Sequence, residues 1–171
     1  VALAGVMGGL DSEITDSSTN VFLESAVFKP ATIRKTSRRL GLSSESSYRF
    51  ERGIDQQRTV WALDRACAMM AAMSGGRVQR GLSISEPCPF KGASIEFRPA
   101  RADSLLGVHL TNEFDEKVLT GMGCTVDKGE NSPVWRVSQP SWRPDLTREA
   151  DLIEEVGRVH GLDTIAPVLP P

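Results

Sequence analysis

No apolar run in the sequence approaches the roughly 20 residues of a membrane-spanning helix, which excludes a helical membrane protein. Nothing in it has the charged-then-apolar pattern of a signal peptide. Its three cysteines, Cys67, Cys88 and Cys124, stand far apart and form no zinc-type pair. An odd, scattered set fits reduced thiols in a cytoplasmic protein rather than a disulfide framework. The two histidines, His109 and His160, have no nucleophile or carboxylate arranged with them as a triad, and read as surface or helix-end residues. The glycine-rich opening is followed by no Lys-Ser or Lys-Thr, so it is not a phosphate-binding loop. No internal repeat is present. The net charge of −2 argues against a generally basic nucleic-acid coat and against an acidic tail. The chain opens on Val1 without a methionine and closes on Pro170-Pro171, so both ends read as cut. The expectation is a piece of a longer chain whose function belongs to the parent.

What is present suits one large domain or two small ones: 171 residues, 40% hydrophobic and 25% charged. The near-neutral total hides blocks of different sign. Residues 1–28 carry four acids and no Lys or Arg, whereas residues 29–80 carry eleven Lys/Arg against four Asp/Glu. Such asymmetry points to a polyanion near one segment and a cation near another. Residues 21–28 read as a strand buried on both faces. Pro30 opens a helix that Gly41 closes. Residues 42–53 read as a loop. A helix over 59–73 presents Val60, Leu63, Cys67 and Met70 and stops at Gly75-Gly76. Val78 to Ile84 reads as a strand. Glu86 to Gly92, with two prolines and a glycine, is the linker candidate. Beyond it come a strand at Ile95–Phe97, a helix from Pro99 to Leu106 and a helix capped by Asn112 that runs to about Met122. Two strands, about 124–126 and 134–138, flank a turn from Asp127 to Pro133. A strong helix spans about 148–160. The boundary divides the chain into 1–88 and 89–171.

Four constellations carry chemistry. On the last helix, Leu152, Ile153, Val156 and Val159 share one arc while Asp151, Glu154 and Glu155 share the opposite one. With Asp145 at the helix mouth these carboxylates suit Mg²⁺, a hard cation that takes oxygen ligands. The same spacing is met by a solvated face that Arg158 neutralises. The turn Ala4-Gly5-Val6-Met7-Gly8-Gly9 allows close backbone approach to a ligand, or is simply a tight turn between strands. Glu24 is the one charge in the apolar run 21–28, so it is either paired with an arginine or reads a ligand hydroxyl. Ser43 to Gly53 mixes hydroxyls, arginines and aromatics that suit a nucleotide, or a solvated loop with internal ion pairs.

At these residues the sequence resembles a known family. Ala4-Gly5-Val6-Met7-Gly8-Gly9, Leu23-Glu24-Ser25-Ala26, Arg38-Arg39-Leu40-Gly41-Leu42 and Ser47-Tyr48-Arg49-Phe50-Glu51-Arg52-Gly53-Ile54-Asp55 resemble the bacterial phenylalanyl-tRNA synthetase beta subunit. So do Gly121-Met122-Gly123-Cys124, Pro140-Ser141-Trp142-Arg143-Pro144-Asp145 and Glu149-Ala150-Asp151-Leu152-Ile153-Glu154-Glu155-Val156-Gly157-Arg158. The resemblance covers essentially the whole chain, with the motifs in order. It implies a parent that joins phenylalanine to tRNA(Phe) using ATP, as a cytoplasmic heterotetramer of two alpha and two beta subunits. The alpha subunit would hold the aminoacylation site, so the chain alone is not expected to aminoacylate. It also implies that Asp145, Asp151, Glu154 and Glu155 ligate a magnesium ion where beta meets alpha. Residues matching Gly5, Gly8, Glu24, Ser44 and Ser46 line the family's pocket for hydrolysing tyrosine mischarged onto tRNA(Phe). Here the sequence departs from well-known members, which carry threonine and alanine where Ser44 and Ser46 stand, and the family's pocket histidine falls earlier than this stretch.

The fold expected is α+β: a truncated mixed α/β editing domain, then a small helix-turn-helix-like, winged-helix-like domain. Arg34, Lys35, Arg38 and Arg39, at helical neighbour spacings, are the RNA-facing candidates. The alternative is a non-catalytic RNA-binding or subunit-assembly module, supported by the basic block. A free-standing metal-dependent hydrolase is disfavoured, because no histidine or nucleophile accompanies the carboxylates.

Overall fold

Helix starts and stops follow the residues expected to set them in most of the chain. The structure, a computed structural model, describes residues 1–130 and 132–165. It is α+β and divides into two compact units, Val1–Phe90 and Lys91–Pro171. Asn131, inside the expected turn, and the terminal Pro170-Pro171 lie outside the described residues.

The first unit begins with two short antiparallel strands, β1 (Ala2–Leu3) and β2 (Met7–Gly8), joined by a tight turn. Helix α1 spans Pro30–Leu40, with the proline in its first turn and Gly41 in the left-handed conformation at its end. Helix α2 (Glu45–Phe50) replaces part of the expected loop 42–53. Its cause is a reciprocal cap: the Ser47 backbone N–H donates to Ser44 Oγ at 3.1 Å, and the Ser44 N–H donates to Ser47 Oγ at 2.9 Å. Two serines three apart therefore nucleate a turn of helix where the composition reads as coil. Helix α3 (Thr59–Ser74) runs as expected, yet none of its residues is buried and Met73 is 85% exposed.

Two expected strands are absent. Residues 21–28 and 78–84 form no ladder, and Phe22, Val78, Leu82 and Ile84 are exposed. An apolar run becomes a strand only when a neighbouring edge pairs its backbone and a layer covers its side chains. Among the described residues this unit has one two-stranded pair and only Val6 and Ile33 as buried apolar side chains.

The second unit is organised around a core. Its strands β3 (Ser94–Phe97), β4 (Thr125–Asp127) and β5 (Trp135–Ser138) form an antiparallel sheet in the order β3-β5-β4. Ile95 faces Val137 and Phe97 faces Trp135 across the ladder, so alternate residues enter the core while Glu96 and Arg136 stay outside. Helices α4 (Pro99–Leu106), α5 (Asn112–Gly121) and α6 (Glu149–His160) complete the unit. Thr111, rather than Asn112, caps α5, its hydroxyl accepting from the Phe114 N–H. Helix α6 packs on α4, α5 and β3 through Leu152, Ile153 and Val156. These join Phe97, Leu119, Val137 and Leu146 in one cluster.

One carboxylate violates that core. Asp115 on α5 is 0% exposed and neither side-chain oxygen has a hydrogen-bond partner among the described residues. Burial, with a smaller contribution from the nearby Asp103 charge, pushes its carboxyl up to about 6. Between its unfolded value near 3.8 and about 6, the native state binds more protons than the unfolded chain, so stability falls as pH rises through that window. The shift corresponds to roughly 3 kcal/mol at most. We expect Asp115→Asn to be more stable than the parent above pH 6, with the advantage shrinking as the pH is lowered to about 4. Denaturant titrations of both proteins across this range check it, and a difference that does not vary with pH contradicts it.

Candidate functional site

The apolar seam of α6 faces the core, so its acids are forced to the opposite side and the helix mouth. Asp151 lies in the first turn, where the orphan backbone donors are. Its Oδ2 accepts from the Thr147 N–H at 2.9 Å and the Arg148 N–H at 3.0 Å. Burial raises the Asp151 carboxyl, but these bonds and the Arg148 side chain outweigh it and leave it below the usual carboxylate range. Glu149 is engaged with Arg98 and Arg101, and its Oε1 also accepts from the Arg98 N–H at 3.0 Å.

Arg143, on the loop between β5 and α6, is the hub. Its Nη2 donates to Asp145 Oδ2 at 2.6 Å and to Glu155 Oε1 at 2.6 Å. Arg158 takes the other oxygen of Glu155. The Arg143 guanidinium holds Asp145 below the usual carboxylate range against the opposing effect of burial. For Glu155 burial again raises the carboxyl, and the hydrogen bonds from Arg158 and Arg143 prevail. Glu154 is exposed and takes no part in these hydrogen bonds.

The structure brings together two of the four expected carboxylates, Asp145, Asp151, Glu154 and Glu155. Among the described residues no group of three or more His, Cys, Asp or Glu side chains is placed to hold a metal ion. Asp145 and Glu155 are brought together, Asp151 is turned to the start of its helix, and Glu154 stands apart. The pair that does converge fits a cation: one positively charged nitrogen lies 2.6 Å from an oxygen of each. Arg143 escaped the sequence reading as a site residue. The signal for it was an arginine two residues before the first carboxylate.

In the first unit, three of the five expected pocket residues meet. The Ser44 hydroxyl donates to the carbonyl of Val6, which ties the start of α2 to the turn carrying Gly5 and Gly8. A shallow open depression beside that turn is lined by Gly8 with Met7, Gly9, Leu10, Ser12 and Glu13. Glu24 is exposed on the extended segment 21–28, contrary to the buried strand expected for it, and Ser46 is exposed on α2. No hydrogen bond or ion pair of the described residues joins either to the turn. On α1, Arg34, Lys35, Arg38 and Arg39 are exposed and meet no carboxylate among the described residues. Arg34 donates to the carbonyl of Glu51 at 3.1 Å. On α2 and just after it, Arg49 and Arg52 pair with Glu45 and Glu51, and Arg52 also stacks on Tyr48 at 3.5 Å. The internal pairing left open by the sequence is therefore real there.

Comparison with known proteins finds two family models on the chain. Residues 1–75 match the family described as the B3/4 domain, and residues 95–162 match the tRNA synthetase B5 domain. The chain is 59% identical to the phenylalanine–tRNA ligase beta subunit of Oleidesulfovibrio alaskensis, over 99% of this chain and 21% of that protein. The beta subunits of Nitratidesulfovibrio vulgaris and Geobacter sulfurreducens are 54% and 47% identical, each over 99% of this chain and 21% of the relative. The chain thus spans about a fifth of the length of the curated relatives it matches.

The two glycines of the turn differ in what they do. Gly5 has φ +71°, and a Cβ there would lie 2.7 Å from Ile33 Cδ1 and 2.8 Å from Phe28 Cδ2. A Cβ at Gly8 meets nothing within 4 Å. We expect Gly5→Ala to cost roughly 1–3 kcal/mol through backbone strain and crowding. Gly8→Ala should stay within about 0.5 kcal/mol of the parent. Thermal unfolding of the two variants checks the contrast.

Proposed function

Given that this chain belongs to the phenylalanine–tRNA ligase beta-subunit family, carrying B3/4 and tRNA synthetase B5 domains, we propose that it serves the enzyme in two ways. Its first unit belongs to the domain that removes tyrosine mischarged onto tRNA(Phe). Its second unit is a helix-turn-helix-like element that meets the alpha subunit. The parent is the cytoplasmic two-alpha, two-beta enzyme that charges tRNA(Phe) with phenylalanine and ATP. None of the described helices is long and apolar enough to cross a membrane.

The observation that carries the editing reading is the Ser44-to-Val6 hydrogen bond, because it draws the glycine turn and a hydroxyl-bearing helix start into one place. Gly5 shapes that turn, Gly8 leaves space for a ligand, and Ser44 fixes the wall. In the complete domain Glu24 and Ser46 supply polar groups for the tyrosine hydroxyl. The discrimination is asymmetric: tyrosine satisfies such an acceptor, whereas phenylalanine leaves it desolvated and unpaired. Arg34, Lys35, Arg38 and Arg39 face the RNA backbone, which explains four exposed cations on one short helix that meet no carboxylate among the described residues.

On α6 and the loop before it, Asp145, Asp151, Glu154 and Glu155 would hold Mg²⁺ together with the alpha subunit. The ion would supply positive charge that binds carboxylates of both subunits. The chain's own contribution is to fix the direction of the donors. Leu152, Ile153 and Val156 anchor the helix, and Asp151 orders its first turn.

Two measurements on the full-length enzyme test this. Glu24→Ala should slow hydrolysis of Tyr-tRNA(Phe) by about ten- to a hundred-fold, the worth of a hydrogen bond to a charged group, and leave phenylalanine charging nearly intact. Unchanged clearance of the mischarged tyrosine makes Glu24 a surface residue. Separately, Arg38→Ala with Arg39→Ala should weaken tRNA binding and flatten its salt dependence by about one to two in the slope of log affinity against log salt. An unaltered slope returns these arginines to the solvated surface.

A further inference from the structure

Helix α2 turns one aromatic ring outward. Its inner face is fixed by Ser47, which is 2% exposed, and by Phe50, whose ring meets Phe28 edge-on with centroids 4.8 Å apart. Tyr48 lies off that face and is 55% exposed. The Arg52 guanidinium sits over the Tyr48 ring, 3.5 Å from its centroid. It is held there, because its Nη1 donates to the Tyr48 carbonyl at 2.7 Å and to Glu51 Oε1 at 2.9 Å. A guanidinium covers one face of a phenol ring, and among the described residues no second cation or aromatic ring lies over Tyr48. The other face is open to a planar ligand. The cations of α1 begin beside this pair. Arg34 Nη2 donates to the Glu51 carbonyl at 3.1 Å, one residue from Arg52, and a carbonyl leaves the charge of that guanidinium in place. Arg38 follows one turn along the same face of α1. At the other end of α2, Ser44 is bonded to Val6 in the glycine turn, and Tyr48 stands four residues, about 6 Å of helix axis, beyond it.

We propose that the Tyr48–Arg52 pair is a stacking platform for an unpaired nucleobase, the last base of the amino-acid-bearing end of the tRNA. The proposal rests on the reading that the first unit receives that end at the glycine turn and that α1 faces RNA. Every base has a π-face, so stacking on an aromatic ring holds a single strand whatever its sequence. The guanidinium on the back of the ring fixes its orientation and completes an arginine–tyrosine–base sandwich. The phosphate attached to a base held there comes within reach of Arg34 and Arg38, which meet no carboxylate among the described residues. An acidic peptide satisfies the cations equally well but brings nothing planar to the ring, so the combination favours a nucleotide. The platform grips the base and not the esterified amino acid. It therefore positions the ester beside the glycine turn for any amino acid, and leaves discrimination to the pocket. Stacking of this kind is equally strong before and during hydrolysis, so it governs KM and not kcat.

The test uses the full-length alpha–beta enzyme. Unsubstituted enzyme is photocrosslinked to tRNA(Phe) carrying 8-azidoadenosine as its last nucleotide, and the joined beta-subunit peptides are identified by mass spectrometry. In parallel, hydrolysis of Tyr-tRNA(Phe) is followed at rising substrate concentration for the parent, Tyr48→Phe, Tyr48→Ala and Arg52→Gln. Tyr48 lies outside the core, and its substitution leaves α2 anchored through Ser44, Ser47 and Phe50. The expected result is a crosslink between Ser44 and Arg52. KM should rise on the order of tenfold in Tyr48→Ala and about threefold in Arg52→Gln, and stay within about twofold of the parent in Tyr48→Phe, with kcat within about twofold in all three. Beta-subunit crosslinks that all fall outside this segment, or none at all, overturn the proposal. A parental KM in either Tyr48→Ala or Arg52→Gln overturns the platform while leaving the editing reading in place. If the parent itself fails to hydrolyse Tyr-tRNA(Phe), the editing reading fails and the crosslink alone decides: the platform stands where it falls between Ser44 and Arg52, and is overturned where it does not.

Discussion

The apolar seam of α6 is the constraint from which the acidic site follows. Leu152, Ile153 and Val156 are buried among Phe97, Leu119 and Val137, and each such burial stabilises the unit by about 1.5–3 kcal/mol. With that face committed, the helical repeat leaves Asp151, Glu154 and Glu155 no direction except outward and toward the mouth of the helix. The seam also fixes where Leu146 and the Pro140–Asp145 loop must lie, and so delivers Arg143 to the carboxylates. Charge compensation is thus a consequence of core packing. The pairs contribute little to stability by comparison, since several of them are half exposed.

The first unit obeys the same physics with the opposite outcome. Its backbone bonds are satisfied locally, by helices, caps and one tight turn, but it encloses few apolar side chains among the described residues. Trp61 is 61% exposed and Phe22 is 93% exposed.

Much of this was legible in the residues because it is local. Pro30 and Gly41 bracket α1, Gly107 ends α4, and the 3.6-residue period of 149–160 separates core from acid without any tertiary information. The errors arose where distant segments decide. Residues 21–28 and 78–84 have strand-like composition, but pairing depends on an edge that the run itself does not contain. Glu24 was read as buried because its neighbours are apolar, and those neighbours are themselves largely uncovered. Ser44 and Ser47 could have announced α2, since a hydroxyl pair three residues apart is a capping signal, but the flanking serines disguised it as coil. The helical repeat puts Asp151, Glu154 and Glu155 opposite the apolar arc of α6, with Asp145 upstream at its mouth. What composition hid was that Arg143, outside the helix, would reach two of them at once. Asp115 was invisible for the same reason, because nothing in its sequence neighbourhood shows that α5 turns it inward.

Hydrogen–deuterium exchange of the 171-residue chain, resolved by segment, tests most directly the claim that the packed seam of the second unit is the platform for the acidic row. The account predicts slow exchange for the amides of α5, β5 and the middle of α6 around Leu152 to Gly157. It predicts fast exchange for residues 21–28 and 78–84, whose amides have no ladder to protect them. Fast exchange through the middle of α6, or protection of 21–28 equal to that of β5, would contradict it.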